Sequence, residues 1–327
     1  MKQRQKKQAG TGNSDNIRLP LSLRNKRFFK LLWKQKALIL LTLPAVILVI
    51  IFKYRPMYGI LIAFKDYKPK LGIWNSPWED NPFANFIRFY RYVNFWPLIW
   101  NTIKTGVMTM LFTFPMPIVF ALMLNELRGK WFKRGVQTIS YIPHFISVVV
   151  IVGMLNSFAS LDGLFNVIRG WTGLEAINMN FGAEFFLPMY IGSAVWQGMG
   201  WGSIIYLSAL SNINSTLYDV ANIDGANRWH KIKNIAWPAI MPTVTVILIL
   251  NAGNVLSTDF TKILLMQNDT NRSLIDVIGT FVYRIGIGQG EFEYSTAVNL
   301  FVSIVSFIMV YGTNKITQKL NPENSLW

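Results

Sequence analysis

The chain has 327 residues, of which 52% are hydrophobic and 15% charged, with a formal charge of +16 and no cysteine. A soluble domain carries about 25% charged residues, so the balance argues for a membrane before any motif is read. The missing cysteines exclude a disulfide framework, a thiolate metal site and a cysteine nucleophile.

Residues 1–36 hold eleven Lys and Arg against a single acid, Asp15. No short apolar stretch with a small-residue cleavage site follows, so the segment reads as a retained basic tail. Its first part has the composition of disorder. Residues 19–36 could form a basic amphipathic helix at an anionic leaflet, or serve simply as a topology anchor. Nucleic-acid binding would need an exposed basic domain with stacking aromatics, and none follows.

Six apolar stretches come next, so the fold class expected is an all-α polytopic membrane protein, with residues 37–327 as its transmembrane domain. The first, 37–52, continues towards Pro56, with Lys53 and Arg55 placed to snorkel at an interface. Residues 57–96 are aromatic, and Trp74, Trp78 and Trp96 fit an interfacial belt or contacts to an external partner. The second stretch, 98–124, contains Pro115 and Pro117 as kink sites and leads to Arg128, Lys130, Lys133 and Arg134. The third covers 136–158. The fourth, 186–210, carries Gly198, Gly200 and Gly202, which permit close helix approach or local unwinding. The fifth and sixth are 239–256 and 296–311.

The tail, the Arg128 loop, the loop with Arg228, Lys231 and Lys233, and the C-terminal end hold twenty of the thirty-two Lys and Arg. The opposite connections hold eleven of the sixteen acids, from Asp66 to Glu293. Lys and Arg sort to the cytoplasmic side, so both termini and the segment 214–238 are expected inside the cell, in a multi-pass plasma-membrane protein.

That segment is the most informative stretch. Thr216 and Asp219 have capping-box spacing, Leu217, Val220 and Ala221 make a short apolar stripe, and Gly225 can end a first helix. Asn227 can cap a second, whose stripe is Trp229, Ile232 and Ala236 before Pro238. Helices of two or three turns are unstable alone, so the hairpin needs something to dock against.

Catalytic parts are missing. There is no phosphate-binding G-x-x-x-x-G-K-S/T, no G-x-S-x-G and no H-E-x-x-H. His144 and His230 are isolated, so no metal site is expected, and Gly286, Gly288 and Gly290 follow no strand and read as a turn. No cofactor is expected on this chain.

The hairpin resembles the EAA motif of membrane permeases from ATP-binding-cassette (ABC) importers. Asp219, Val220 and Ala221 stand where that family has Glu-Ala-Ala, followed at matching spacing by Gly225, Ile235, Trp237 and Pro238. Identity departs at Asp219, Val220 and Trp237. The segments FKDY (64–67), IDGA (223–226), ILLMQN (263–268), TFVYRI (280–285) and the terminal Ser325-Leu326-Trp327 are similar to those of the maltose-type and oligosaccharide branch that works with a lipoprotein receptor.

The resemblance implies a type I importer permease. Its partners would be a second homologous permease, a cassette ATPase dimer carrying ATP and Mg, and an extracytoplasmic sugar-binding lipoprotein. Asp219, Val220, Ala221, Asp224, Gly225, Ala226, Ile235 and Pro238 would then couple the chain to the ATPase.

Polar residues in spans usually face a cavity, which makes Gln197, Asn251, Asn254, Asp259 and Asn299 candidates for the substrate path; helix-gluing hydrogen bonds are the competing role. Trp196, Trp201 and Tyr206 could offer stacking faces to sugar. The resemblance ranks Asn251, Asn254 and Asp259 first. Two alternatives stay open: an ABC permease for another solute, and a membrane-embedded glycan-processing enzyme. The outer carboxylates form no D-x-D cluster that would favour the enzyme.

Overall fold

The computed structural model describes residues 34–127 and 129–320. Most of the basic tail, Arg128 and the terminal Ser325-Leu326-Trp327 lie outside the described residues. The described chain is helical, with one isolated antiparallel bridge, Lys65 to Trp78, and it divides into two compact units, 1–58 and 59–327.

The first unit contributes α1 (Lys36–Val49), none of whose residues is buried, as suits a helix whose solvent is lipid. It widens into a π turn at Ile50–Tyr54. The ring of Pro56 would clash with the carbonyl four residues earlier in a regular helix, and the wider turn relieves that contact.

The second unit begins with an outer connection containing α2 (Gly72–Asn75) and α3 (Ala84–Tyr90). Buried Lys65 of the FKDY segment holds it, donating from Nζ to the carbonyls of Ile73 (2.7 Å), Trp74 (3.3 Å) and Ser76 (3.0 Å) and lying 4.8 Å from the Trp78 ring. Next come α4 (Phe95–Thr113) and α5 (Pro115–Asn125), which meet at the expected proline break.

The stretch expected as a third span is divided. Helix α6 (Lys130–Tyr141) and its 3₁₀ extension Ile142–Phe145 meet α7 (Val148–Phe158) at a 96° bend. Pro143 lacks an amide hydrogen for the ladder and Ser147 caps α7, accepting from the Val150 amide at 3.4 Å, so the local sequence restarts the helix in a new direction.

Then follow α8 (Leu164–Trp171), the 29-residue α9 (Ala183–Ser211), the short α10 (Ser215–Ile223) and α11 (Arg228–Lys231), and α12 (Trp237–Gly253). An outer cluster of α13 (Phe260–Met266), α14 (Arg272–Ile275) and α15 (Ile278–Tyr283) leads to α16 (Phe292–Leu320).

Among the described residues, four helical runs are long and apolar enough to cross a membrane: Lys36–Phe64, Phe95–Asn125, Arg228–Gly253 and Phe292–Lys319; the bent pair makes a fifth if counted as one. Helix α9 has the length but a lower hydropathy. No unwinding occurs at its glycines. Cβ atoms at Gly200 and Gly202 would press on Ser140 and Pro117, so these two positions let α6 and α5 approach, while Gly198 has open space beside it.

Three apolar clusters pack the second unit. One joins Ile118, Ala121 and Leu124 of α5 to Tyr206, Leu207 and Leu210 of α9 and Ala236, Ile240 and Val244 around α12. Tyr206, expected as a sugar-facing ring, therefore belongs to this core. The other two, one of Phe89, Phe95, Phe281 and Tyr294 and one of Phe186, Tyr190, Ile263 and Val277, make the end of the unit that holds α13 and α15. Asp276 braces this end. It pairs with Arg284 at 2.5 Å and accepts from Thr280 Oγ1 (2.6 Å) and Gln267 Nε2 (3.2 Å). These are residues of the ILLMQN and TFVYRI segments, and here they act as struts.

Candidate functional site: a hairpin and a cavity on one pair of helices

The hairpin is built by local chemistry. Asn214, not Thr216, caps α10, accepting from the Thr216 amide at 3.0 Å. At the other end Gly225 takes φ +72°, the Ala226 amide bonds the Ala221 carbonyl (2.8 Å) and the Gly225 amide bonds that of Asn222 (3.2 Å). This is a Schellman termination, which needs a left-handed residue and brings the small side chains of Ala221 and Ala226 together. Asn227 caps α11, accepting from the His230 amide at 2.9 Å, and Lys231 Nζ donates across to Asn222 Oδ1. Asp224 is the C-terminal cap residue of α10.

No residue of α10 or α11 is buried. Leu217, Val220, Ile223 and Trp229 are all exposed, Ile223 at 85%. The hairpin thus presents an apolar stripe at helical spacing on its surface.

The second helix does not stop. From Arg228 it runs through a π turn at Ile232–Ala236, which contains Ile235, into α12, as one 26-residue helix of about 39 Å. Pro238 lies just past the widened turn, whose geometry accommodates its ring. On the other side, α9 ends only a few residues before the hairpin.

The same two helices line a cavity of about 450 Å³, within the range of small-molecule sites. Gln197 and Gly198 come from α9, Asn251 from α12, Asn254, Ser257, Thr258 and Asp259 from the chain beyond it; α4 supplies Gly106, Thr109 and Thr113. Four of the six substrate-path candidates thus share one wall space. Gln197 Nε2 donates to the Ile146 carbonyl (3.1 Å) and Asn254 Nδ2 to that of Leu250 (3.2 Å), whereas the Asn251 side chain makes no hydrogen bond among the described residues. Asp259 caps α13, its Oδ1 accepting from the Lys262 amide at 3.1 Å.

Trp201 reaches the cavity through His144, on which it stacks at 4.6 Å and 2°. Asn299 is exposed on α16, away from the cavity, and Trp196 lines a separate apolar cavity of about 460 Å³ with Phe158 and Phe165. A Cβ at Gly106 would run into the Val255 carbonyl, so only glycine lets α4 close this wall.

Sequence reasoning did not place His144, Tyr190 and Lys262 on the path, nor the hydroxyls of Thr109, Thr113, Ser257 and Thr258. Lys262 is only 2% exposed, donates from Nζ to the Tyr190 carbonyl (3.2 Å) and lies 5.1 Å from the Tyr190 ring. It lies in the connection between two spanning helices, where burial pushes its ammonium down to about 8, an effect Asp259 opposes. A lysine in a segment of mixed charge gives no sequence signal that it will be buried. Among the described residues no group of three or more His, Asp or Glu could hold a metal.

A chain of long apolar helices with an exposed hairpin and a cavity lined by amides, hydroxyls and a lysine is consistent with a solute permease, and the comparisons agree. The chain belongs to the binding-protein-dependent transport system inner membrane components, whose family model matches residues 113–320. It is 42% identical over 292 residues to Protein LplB of Bacillus subtilis (89% of this chain, 91% of the relative). It is 40% identical over 301 residues to the polygalacturonan/rhamnogalacturonan transport system permease protein YteP of the same organism (92% and 93%). Its fold is similar to a chain of a bacterial ABC transporter involved in the import of the acidic polysaccharide alginate, with a TM-score of 0.80 and 35% identity over 90% of this chain and 99% of that one. A related structure holds that importer in complex with an alginate pentasaccharide-bound periplasmic protein. The chain is therefore a multi-pass ABC importer permease of type I fold and not an enzyme.

Proposed function

We propose that this permease carries oligosaccharides through the cavity lined by Gln197, Asn251, Asn254 and Asp259, and that the hairpin 214–238 delivers the force of an ATPase to it. The observation that carries the reading is connectivity: α9 and α12 wall the cavity and are joined to each other by the hairpin. A push on the hairpin reaches the cavity directly along the continuous run from Arg228 to Gly253, and through the short connection 212–214 to α9. The names of the relatives, with polygalacturonan, rhamnogalacturonan and alginate as cargo, support a sugar polymer fragment as substrate.

In this reading residues 37–327 cross the membrane six times, with α9 and the bent α6–α7 pair completing the count, and both termini are cytoplasmic. The basic tail of residues 1–36 anchors that topology. A cassette ATPase dimer, which binds ATP and Mg, receives Leu217, Val220, Ile223 and Trp229, with Asp219, Asp224, Gly225 and Ala226 shaping the hairpin turn and Ile235 and Pro238 its exit into α12. A second, homologous permease completes the pathway, and an extracytoplasmic sugar-binding lipoprotein delivers cargo. Sugar hydroxyls exchange their water for the amides of Asn251 and Gln197, beside the His144–Trp201 stack. Alternating access follows: ATP-driven closure opens the cavity outwards, and hydrolysis returns it inwards.

The test is uptake into proteoliposomes holding the complete complex. Asn254→Ala combined with Asp259→Asn should abolish oligosaccharide uptake while the ATPase still co-purifies. Unchanged uptake by that double variant would remove this cavity from the path.

A further inference from the structure

Lys262 is the one Lys or Arg among the residues lining the cavity, and hydrogen bonds to sugar hydroxyls do not require its charge. Its Nζ has one hydrogen bond, to the Tyr190 carbonyl, and no ion pair with a carboxylate of the described residues. Asp259, the acid nearest to it in sequence, directs Oδ1 at the backbone amide of Lys262 instead and caps the start of α13. Burying an ammonium with no direct ion pair is costly, and a buried ionisable group lining a cavity is a candidate for function. Structural anchoring alone does not require a charge here: a carbonyl of a tyrosine already in the α9 ladder can be met by water or by a neutral donor. Lys65 makes the contrast. It is equally buried, but three carbonyls and a Trp ring surround its ammonium, and it lines none of the cavities described.

We propose that the cavity selects oligosaccharides carrying carboxylates, the uronic-acid class, and that Lys262 is the specificity-determining residue, pairing with a sugar carboxylate beside Asn251 and Gln197. This rests on the cavity being the sugar path. A carboxylate completes the lysine with a charge-assisted hydrogen bond, whereas a neutral sugar leaves the ammonium desolvated and unpaired, so discrimination comes from the unmet charge as much as from the bond made. His144, backed by the stacked Trp201, offers the cavity an aromatic ring, which suits a sugar ring of either kind and adds no preference for the acid.

The experiment compares two probes in the full complex, with the same binding protein in every arm: trigalacturonate and its methyl ester, which has the same skeleton without the charges. The intact complex should take up the acid at least about tenfold faster than the ester. Lys262→Gln should lower acid uptake about ten- to a hundredfold and leave ester uptake within about twofold, and Lys262→Arg should restore most of the acid uptake. Charge-assisted contacts of this kind correspond to changes of that size. An intact complex that moves the ester as fast as the acid overturns the proposal without any variant being needed. So does a Lys262→Gln complex in which both probes fall by the same factor, the signature of a structural lysine. If neither probe moves or stimulates ATP hydrolysis, the sugar-path reading itself falls, and the selectivity with it.

Discussion

The hairpin and the cavity occupy the same two helices yet are specified in opposite ways. The caps and turn of the hairpin are local: an asparagine cap at each helix start, a glycine at the turn, and carbonyl partners within five residues. The cavity is assembled from α4, the α6–α7 bend, α9, Asn251 of α12 and the chain after α12, so no window of sequence contains it. Local coding suits a part that must present one shape to a partner. A site made of several elements suits a part that must open and close.

If that division is right, breaking the hairpin should disconnect the machine while leaving the cavity standing. Gly225→Trp with Asp219→Arg removes the left-handed turn and inverts a charge beside the apolar stripe. The cassette ATPase should fail to co-purify with the variant from native membranes, with the chain itself inserted normally. The reverse break is Gly106→Val, whose side chain would collide with the Val255 carbonyl. It should cut uptake at least about tenfold and destabilise the chain by about 1–3 kcal/mol, the cost of overpacking, while ATPase co-purification survives. That loss is measured as a lower melting temperature in detergent.

Smaller effects sharpen the comparison. Lys262 remains charged below about pH 8 and loses its proton above it, so acidic-cargo uptake relative to the methyl ester should fall between pH 7 and 9. Asp259, Tyr190 and His144 are the other titratable groups around it. Least of all, Asn214→Ala should weaken α10 by about 1 kcal/mol while Thr216→Ala stays within about 0.5 kcal/mol, because the cap is Asn214. Amide hydrogen exchange across 215–223 separates the two.

The same contrast explains what could be read from the sequence. Gly225, Asn227 and the break at Pro115 were legible because each residue acts on its own backbone. Capping-box spacing pointed to Thr216, but Asn214 lies at the start of the turn and its shorter reach to the Thr216 amide won. Hydropathy merged α6 and α7 into one span, since apolarity does not record a 96° bend set by Pro143 and Ser147. Polar residues in spans pointed to Gln197, Asn251, Asn254 and Asp259. The same rule also selected Asn299, on an exposed face, and passed over Lys262, whose burial depends on the distant Tyr190.

The central claim is that the hairpin and the cavity move as one through α9 and α12. The chain contains no cysteine, so Asn254→Cys gives a single thiol in the cavity wall. Its rate of reaction with an impermeant thiol reagent would be measured in the full complex, without nucleotide and with ATP trapped. The rate should change at least about tenfold between the two states, and the change should vanish when Gly225→Trp and Asp219→Arg are added. A nucleotide-dependent change that persists in the uncoupled complex would mean that force reaches the cavity by another route.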